Sequence, residues 1–194
     1  MSYLSLIFFY LIGTIPSGYL IAKSKGIDIR KEGSGNVGAT NVARTLGKTA
    51  GIITLLIDIA KGAIAVLIAI AFEANNELNS LAALMVVLGH CFSIPRLLSG
   101  GKGVATAFGA SLALAPLTAL VAVVVFFTVF KVKKIVSLAS ISAATSLPIS
   151  NYLITQNYQT TAALFVIALV VSIRHKENIL RILAGEEKTF KAKD

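Results

Sequence analysis

A chain of 194 residues that is 56% hydrophobic and 14% charged, with a mean hydropathy of +0.81, has too little polar surface to cover a soluble core. Its net charge of +9 does not mark a nucleic-acid face, because the basic residues sit in short blocks between apolar runs. A single cysteine, Cys91, excludes an internal disulfide framework and any zinc cluster built on cysteines.

The reading is an integral membrane protein, with the lipid bilayer as a partner and nucleic acid not. Residues 3–22 form the first predicted span, interrupted by Pro16-Ser17-Gly18, where a kink is expected. It has no charged n-region and no small-residue cleavage site, so it reads as a retained span. Residues 23–48 are polar and glycine-rich and hold six Lys or Arg. A second span covers 49–72, and the link EANNELN carries two acids and no base. The third span, 80–94, is stopped by Pro95 and followed by RLLSGGKG. Residues 104–130 are apolar, 131–134 hold three lysines, and 135–149 are apolar again. The uncharged link NYLITQNYQ, an apolar run over 161–173 and a basic tail complete the chain.

Charge bias sets the topology. The four basic segments belong in the cytoplasm, and EANNELN and NYLITQNYQ belong outside. One helix over 104–130 would put KVKK and the tail on the wrong sides. A break at Ala115-Pro116 restores the parity and predicts seven spans, N-terminus outside and C-terminus cytoplasmic. The expected fold is an all-α, seven-span helical bundle forming a single domain over residues 1–194. Residues 104–114 reach only about 17 Å as a helix, so this span either starts from a loop dipping into the membrane or borrows residues from the glycine link.

All the unusual polar chemistry then faces the cytoplasm. GSGNVG, residues 33–38, fits the dinucleotide fingerprint G-x-G-x-x-G, and Asp58 lies twenty residues beyond Gly38. That fingerprint must follow a buried strand and open a helix within a βαβ unit. Here a membrane span and GIDIRKE precede it, and Asp58 falls inside the second span. The dinucleotide is excluded by context, but the physics of the pattern remains. Closely spaced Gly33, Gly35 and Gly38 let backbone N–H groups converge on an anion. Ser34, Asn36, Thr40 and Asn41 add side-chain donors, and Arg44 adds a fork suited to phosphate.

SGGKG, residues 99–103, is not a Walker A loop, since Arg96 and Gly103 occupy its first Gly and its Ser/Thr places. Gly47-Lys48-Thr49 fails likewise, with Val42 at the glycine place. Opening a helix at Val104, SGGKG is nevertheless a second phosphate nest with its own lysine. In RHKEN, His175 and Asn178 are three apart and share a face if the helix continues. Only His90 and His175 exist, neither paired with a carboxylate at ligand spacing, so no metal is expected; His90 reads as a satisfied helix-end histidine. Asp58 and Lys61, i and i+3 within a span, read as a structural ion pair bracing the loop above. No G-x-S-x-G elbow is present, and Cys91 lacks an activating base.

GSGNVGATNVAR, the run from Gly89 through SGGKGVAT to Gly109, and HKENILRILAGEEK closely resemble the three signature regions of the bacterial acyl-phosphate:glycerol-3-phosphate acyltransferase family. IPSGYLIAK and the Asp58-to-Gly62 stretch also resemble it, so the likeness covers nearly the whole chain. The resemblance implies transfer of a fatty acyl group from acyl phosphate to the 1-hydroxyl of glycerol 3-phosphate. Lysophosphatidate and phosphate would be the products, in phospholipid biosynthesis at the cytoplasmic face of the bacterial inner membrane. It implies no cofactor and a functional link to an acyl-phosphate-producing enzyme. An acyl phosphate is already activated, so no covalent acyl-enzyme is expected.

By the same resemblance Ser34, Asn36, Thr40 and Asn41 surround the acyl-phosphate end. Arg44 and Lys102 hold phosphate, with Gly100, Gly101 and Gly103 joining Lys102 around glycerol 3-phosphate. His175 and Asn178 orient the acceptor, Ser140 adds a contact, and Glu187 is a structural acid. Either His175 or a substrate phosphate takes the hydroxyl proton. Two rivals fit less well. A CDP-alcohol phosphotransferase needs clustered aspartates for Mg²⁺, and a transporter needs ionisable groups along a mid-membrane path, for which Asp58 and Lys61 are the only support.

Overall fold

The computed structural model of the chain describes residues 3–72, 75–93 and 100–190. Glu73 of the first acidic link, the Pro95 stop, and Arg96 and Ser99 of the second basic link lie outside the described residues. Among those described there are ten α-helices: α1 Ser5–Gly13, α2 Ser17–Ser24, α3 Ala39–Leu46, α4 Lys48–Ala71, α5 Asn76–Cys91, α6 Val104–Leu114, α7 Pro116–Lys133, α8 Val136–Thr155, α9 Tyr158–Arg174 and α10 Lys176–Leu183. A 3₁₀ turn, Ile29–Lys31, lies between α2 and α3.

The side-chain distribution is inside-out relative to a soluble bundle. The packed centre is rich in alanine, with Ala65, Ala69, Ala82, Ala83 and Ala110 fully covered. Larger apolar groups such as Leu56, Leu67, Val124 and Phe127 point outward and are more than half exposed. In water each such side chain would forfeit about 1.5–3 kcal/mol of burial, and a contiguous apolar exterior of this kind fits a lipid environment. Among the described residues, three helical stretches are long and apolar enough to cross a membrane: Ser5–Ser24, Lys48–Ala71 and Pro116–Lys133.

Small residues set the close contacts. A Cβ at Gly62 of α4 would collide with the Thr106 carbonyl, and one at Gly109 of α6 with the Ile59 carbonyl. The two backbones therefore touch, the small-residue mode of membrane helix packing. α6 lies mainly on α4, whereas α7 packs on α8. The run over 104–130 is thus two helices. They part at Ala115, and Pro116, at the first position of α7, needs no N–H acceptor there.

The first span is broken outright between α1 and α2. Lys61 Nζ donates to the Ile15 carbonyl at 2.8 Å, and Ser17 Oγ donates to Asp58 Oδ1 at 2.7 Å. Lys61 and Asp58 pair at 2.9 Å with both side chains buried. The pair therefore braces the break in the first span and not the 33–38 loop. With its polar atoms tied to neighbouring helices, it supports no transport path.

Several predicted links are partly helical. α5 begins at Asn76, capped by Asn75, whose Oδ1 accepts from Leu78 N at 2.9 Å. α9 begins at Tyr158, capped by Asn157, which accepts from Thr160 N at 3.0 Å. α8 continues past residue 149 to Thr155, since buried Asn151 donates to Thr161 Oγ1 at 2.9 Å and ties α8 to α9. Asparagines that read as loop residues act here as helix caps and an interhelical bond.

Candidate active site

Three segments from distant parts of the chain build the polar end of the bundle. The first is the 32–38 loop leading into α3. Gly33 and Gly35 have φ of +56° and +69°, the left-handed region that glycine enters without strain. Asn41, on the first turn of α3, holds the loop from inside. Its Oδ1 accepts from Ser34 N at 3.0 Å, and its Nδ2 donates to the carbonyls of Glu32 and Asn36, both at 2.9 Å. Asn36 Oδ1 accepts from Gly38 N at 2.8 Å, and Gly35 N donates to the Glu32 carbonyl at 2.8 Å.

This corrects two expectations. Asn41, buried and fully bonded, shapes the loop instead of offering donors to a ligand. The amides of Ser34, Gly35 and Gly38 are also engaged, so the loop is not an open nest. Unengaged capacity moves to Ser34 Oγ, Thr40 Oγ1 and the N–H groups of Ala39 and Thr40, the first two of α3, which have no intrahelical acceptor. Ser34 and Thr40 hydroxyls have no hydrogen-bond partner among the described residues. The Arg44 guanidinium lies 5.9 Å from the centre of the Phe190 ring and forms no ion pair among the described residues.

The second segment is Gly100–Gly103, which opens α6. Gly101 N donates to the His90 carbonyl at 3.1 Å. Val37 of the first loop lines one narrow cavity of about 10 Å³ together with His90, Gly100 and Gly101. The two glycine loops therefore meet. His90, read as a helix-end residue, stands between them, its Nδ1 3.6 Å from Asp58 Oδ1.

The third segment is the corner between α9 and α10. The helix does not continue through RHKEN. It stops at Arg174, and His175 caps α10, so the three-residue relation of His175 to Asn178 belongs to α10. His175 is buried, with Nδ1 2.7 Å from the Val171 carbonyl. A carbonyl only accepts, so Nδ1 carries the proton and Nε2 keeps its lone pair. Burial pulls the imidazole down to about 4, with the Lys102 and Arg174 charges adding to it against the Val171 hydrogen bond. At neutral pH the ring is uncharged.

Asn178 links this corner to the second loop. Its Oδ1 accepts from Lys102 Nζ, and its Nδ2 donates to Glu187 Oε1 at 2.6 Å. Glu187 also accepts from Ser137 Oγ at 2.6 Å and from Arg181 Nε at 2.7 Å. Burial alone would raise the Glu187 pKa, but the hydrogen bonds from Ser137, Arg181 and Asn178 outweigh it and hold the carboxylate below its usual range. Lys102 is shifted down by burial, which the Glu187 charge partly offsets. Ser140 is buried one turn beyond Ser137 on α8, its hydroxyl without a hydrogen-bond partner among the described residues.

Sequence reading missed Ser137, Arg181 and Arg174. Arg181 was legible as the residue three beyond Asn178 on the same helix face. Ser137 was not, because its partner Glu187 is fifty residues away.

The chain is similar to known proteins over nearly its whole length. The family model described as glycerol-3-phosphate acyltransferase matches residues 3–185. A glycerol-3-phosphate acyltransferase of Geobacter metallireducens is 52% identical over 183 residues, 94% of each chain. One from Trichlorobacter lovleyi is 46% identical with the same coverage. The crystal structure of PlsY, an integral membrane glycerol 3-phosphate acyltransferase in its glycerol 3-phosphate form, superposes with a TM-score of 0.92 at 41% identity. That match covers 97% of this chain and 94% of that one. Its lysophosphatidic acid form gives 0.90 at 40% identity.

Proposed function

This chain belongs to the glycerol-3-phosphate acyltransferase family, and from that premise we propose that it moves a fatty acyl group from an acyl phosphate to the 1-hydroxyl of glycerol 3-phosphate. The products are lysophosphatidate and phosphate, for phospholipid biosynthesis. Seven spans carry the site at the cytoplasmic face of a bacterial inner membrane, with the N-terminus outside. The separate helices α6 and α7 support that count. An enzyme producing acyl phosphate is the expected upstream partner.

What carries the reading is that Val37 of the first glycine loop and Gly100 and Gly101 of the second line one cavity, with Lys102 next in the chain and bonded to Asn178, and His175 keeping its Nε2 unused. Two phosphorylated substrates need two anion sites, and the loops with Arg44 and Lys102 supply them. Ser34, Thr40 and the Asn36 amide bind the acyl-phosphate end, with Arg44 on its phosphate. Lys102 and the 100–103 loop bind glycerol 3-phosphate. Asn178 and Ser140 position its hydroxyls, and His175 Nε2 accepts a hydrogen bond from the 1-hydroxyl.

The hydroxyl oxygen attacks the acyl carbon. The tetrahedral oxyanion collapses, the carbon–oxygen bond to phosphate breaks, and phosphate leaves with the bonding pair. The hydroxyl proton goes to a substrate phosphate oxygen. With His175 lowered to about 4, a phosphate with a pKa of about 6 is the stronger acceptor, and the imidazole orients. Catalysis is then positioning and charge stabilisation, and no covalent acyl-enzyme is needed.

Purified protein in detergent, given glycerol 3-phosphate and either acyl phosphate or acyl-CoA, tests this. Lysophosphatidate formed only from acyl phosphate is expected. Product from acyl-CoA alone would overturn the donor, and no product from either would sink the activity.

A further inference from the structure

Arg174, the last residue of α9, has no role in the scheme above, yet it makes the most specific contact on the second loop. Its Nη2 donates to the Gly100 carbonyl at 2.8 Å, and its Nε donates to the Gly101 carbonyl at 3.2 Å. The same guanidinium lies 5.6 Å from the centre of the Phe92 ring. One planar fork thus takes two successive backbone acceptors while resting on an aromatic ring.

We infer that Arg174 is a positioning residue for the phosphate of glycerol 3-phosphate, acting by orienting the backbone of the 100–103 loop. In a trans peptide the C=O and N–H point in opposite directions. With the Gly100 carbonyl turned to Arg174, the Gly101 N–H faces away, and there it meets the His90 carbonyl at 3.1 Å. With the Gly101 carbonyl turned to Arg174 as well, the Lys102 N–H also faces away from the guanidinium. Among the described residues that N–H has no acceptor.

The loop is held on its other side as well. A Cβ at Gly101 would strike the His90 ring, so the strand of backbone is pressed between imidazole and guanidinium. Arg174 precedes His175, so the same corner that holds the loop also presents the histidine, and it fixes Lys102 relative to His175 and Asn178. Two of the five guanidinium donors of Arg174 are committed to loop carbonyls, and through them it acts on the loop backbone. A lysine would keep the charge but not the two-pronged geometry.

The proposal rests on the glycerol 3-phosphate reading of this loop, so its test has two arms. In the first, full-length wild type, Arg174→Lys and Arg174→Gln are compared in detergent with glycerol 3-phosphate and palmitoyl phosphate. Both variants should raise KM for glycerol 3-phosphate about tenfold, while KM for palmitoyl phosphate and kcat stay within about threefold. In the second arm, calorimetric binding of inorganic phosphate without donor should weaken by a similar factor in Arg174→Lys, whatever the turnover. If Arg174→Gln fails to fold, Arg174→Lys carries both arms. An Arg174→Lys protein matching wild type in both arms overturns the fork. A lowered melting temperature with unchanged KM values, or an equal rise in both KM values, reduces Arg174 to a brace and overturns the positioning role. Failure of wild type to turn over, with phosphate binding still lost in Arg174→Lys, refutes the enzymatic reading and leaves the loop assignment standing.

Discussion

The molecule contains two buried polar networks built from nearly the same parts. In the first, Lys61 pairs with Asp58, and Ser17 and the Ile15 carbonyl complete the set. In the second, Lys102 reaches Asn178, Asn178 reaches Glu187, and Ser137 and Arg181 complete that set. The first is enclosed, with both charged side chains nearly inaccessible. The second is half open, Arg181 remaining substantially exposed, and it leaves the His175 Nε2 and the Ser140 hydroxyl unengaged. Similar chemistry is thus closed off in one place and, on the proposed function, left available to a ligand in the other. What separates them is whether capacity for further hydrogen bonds remains.

The largest effect that tests this contrast comes from Asp58→Ala. It leaves the Lys61 ammonium buried without its partner, so stability should fall by about 3–5 kcal/mol, read by thermal unfolding in detergent. Adding Lys61→Met should restore much of the loss. An Asp58→Ala protein that is stable but inactive would erase the distinction between the networks.

Next come changes at the open, ligand-facing positions. Arg44→Ala, Ser34→Ala and Lys102→Met should each lower turnover by about 10²-fold or more. Each melting temperature should stay near wild type, because exposed or half-exposed pairs contribute only about 0–1 kcal/mol. Near-normal rates in Ser34→Ala and Arg44→Ala together would remove the first loop from the chemistry.

Glu187→Gln lies between the two classes. It weakens charge-assisted hydrogen bonds from three donors, at a cost to stability of about 1.5–3 kcal/mol. It should also raise KM for glycerol 3-phosphate, because Asn178 and then Lys102 lose their orientation. A change in stability without any kinetic effect would show that the second network is as purely structural as the first.

The expected effect that is smallest at neutral pH is the pH dependence of stability. The folded His175 pKa is lowered from 6.5 to about 4. As pH falls from about 6.5 the unfolded chain takes up a proton that the folded chain refuses, so stability declines until pH is near 4. The Glu187 shift is also downward, so its contribution is present above the ordinary carboxylate pKa and is lost as pH falls through the folded value. His175→Gln should flatten the melting-temperature profile between about pH 6.5 and 4. An unchanged slope would mean that the imidazole is not held neutral by burial.

Much of this architecture was legible in one sequence. Long apolar runs and blocks of Lys and Arg identify helices in lipid, because hydropathy and charge act locally and additively. Pro116 marked the division between α6 and α7 because proline lacks an N–H, a property of the residue wherever it sits. The glycine loops were legible as backbone devices for the same reason. Helix starts at Asn76 and Tyr158 were misread because a capping asparagine and a loop asparagine differ only in the hydrogen bond they make.

Sequence by itself therefore determined the solvent, the helical class, the family, and the three polar segments from which a site is drawn. Tertiary structure alone decided how the donors are divided. It turned Asn41 inward, fixed the His175 tautomer on the Val171 carbonyl, and set Arg174 across two carbonyls more than seventy residues away. A hydrogen bond is satisfied by distance and direction in space, and no local pattern of residues specifies either once the partners are far apart in the chain.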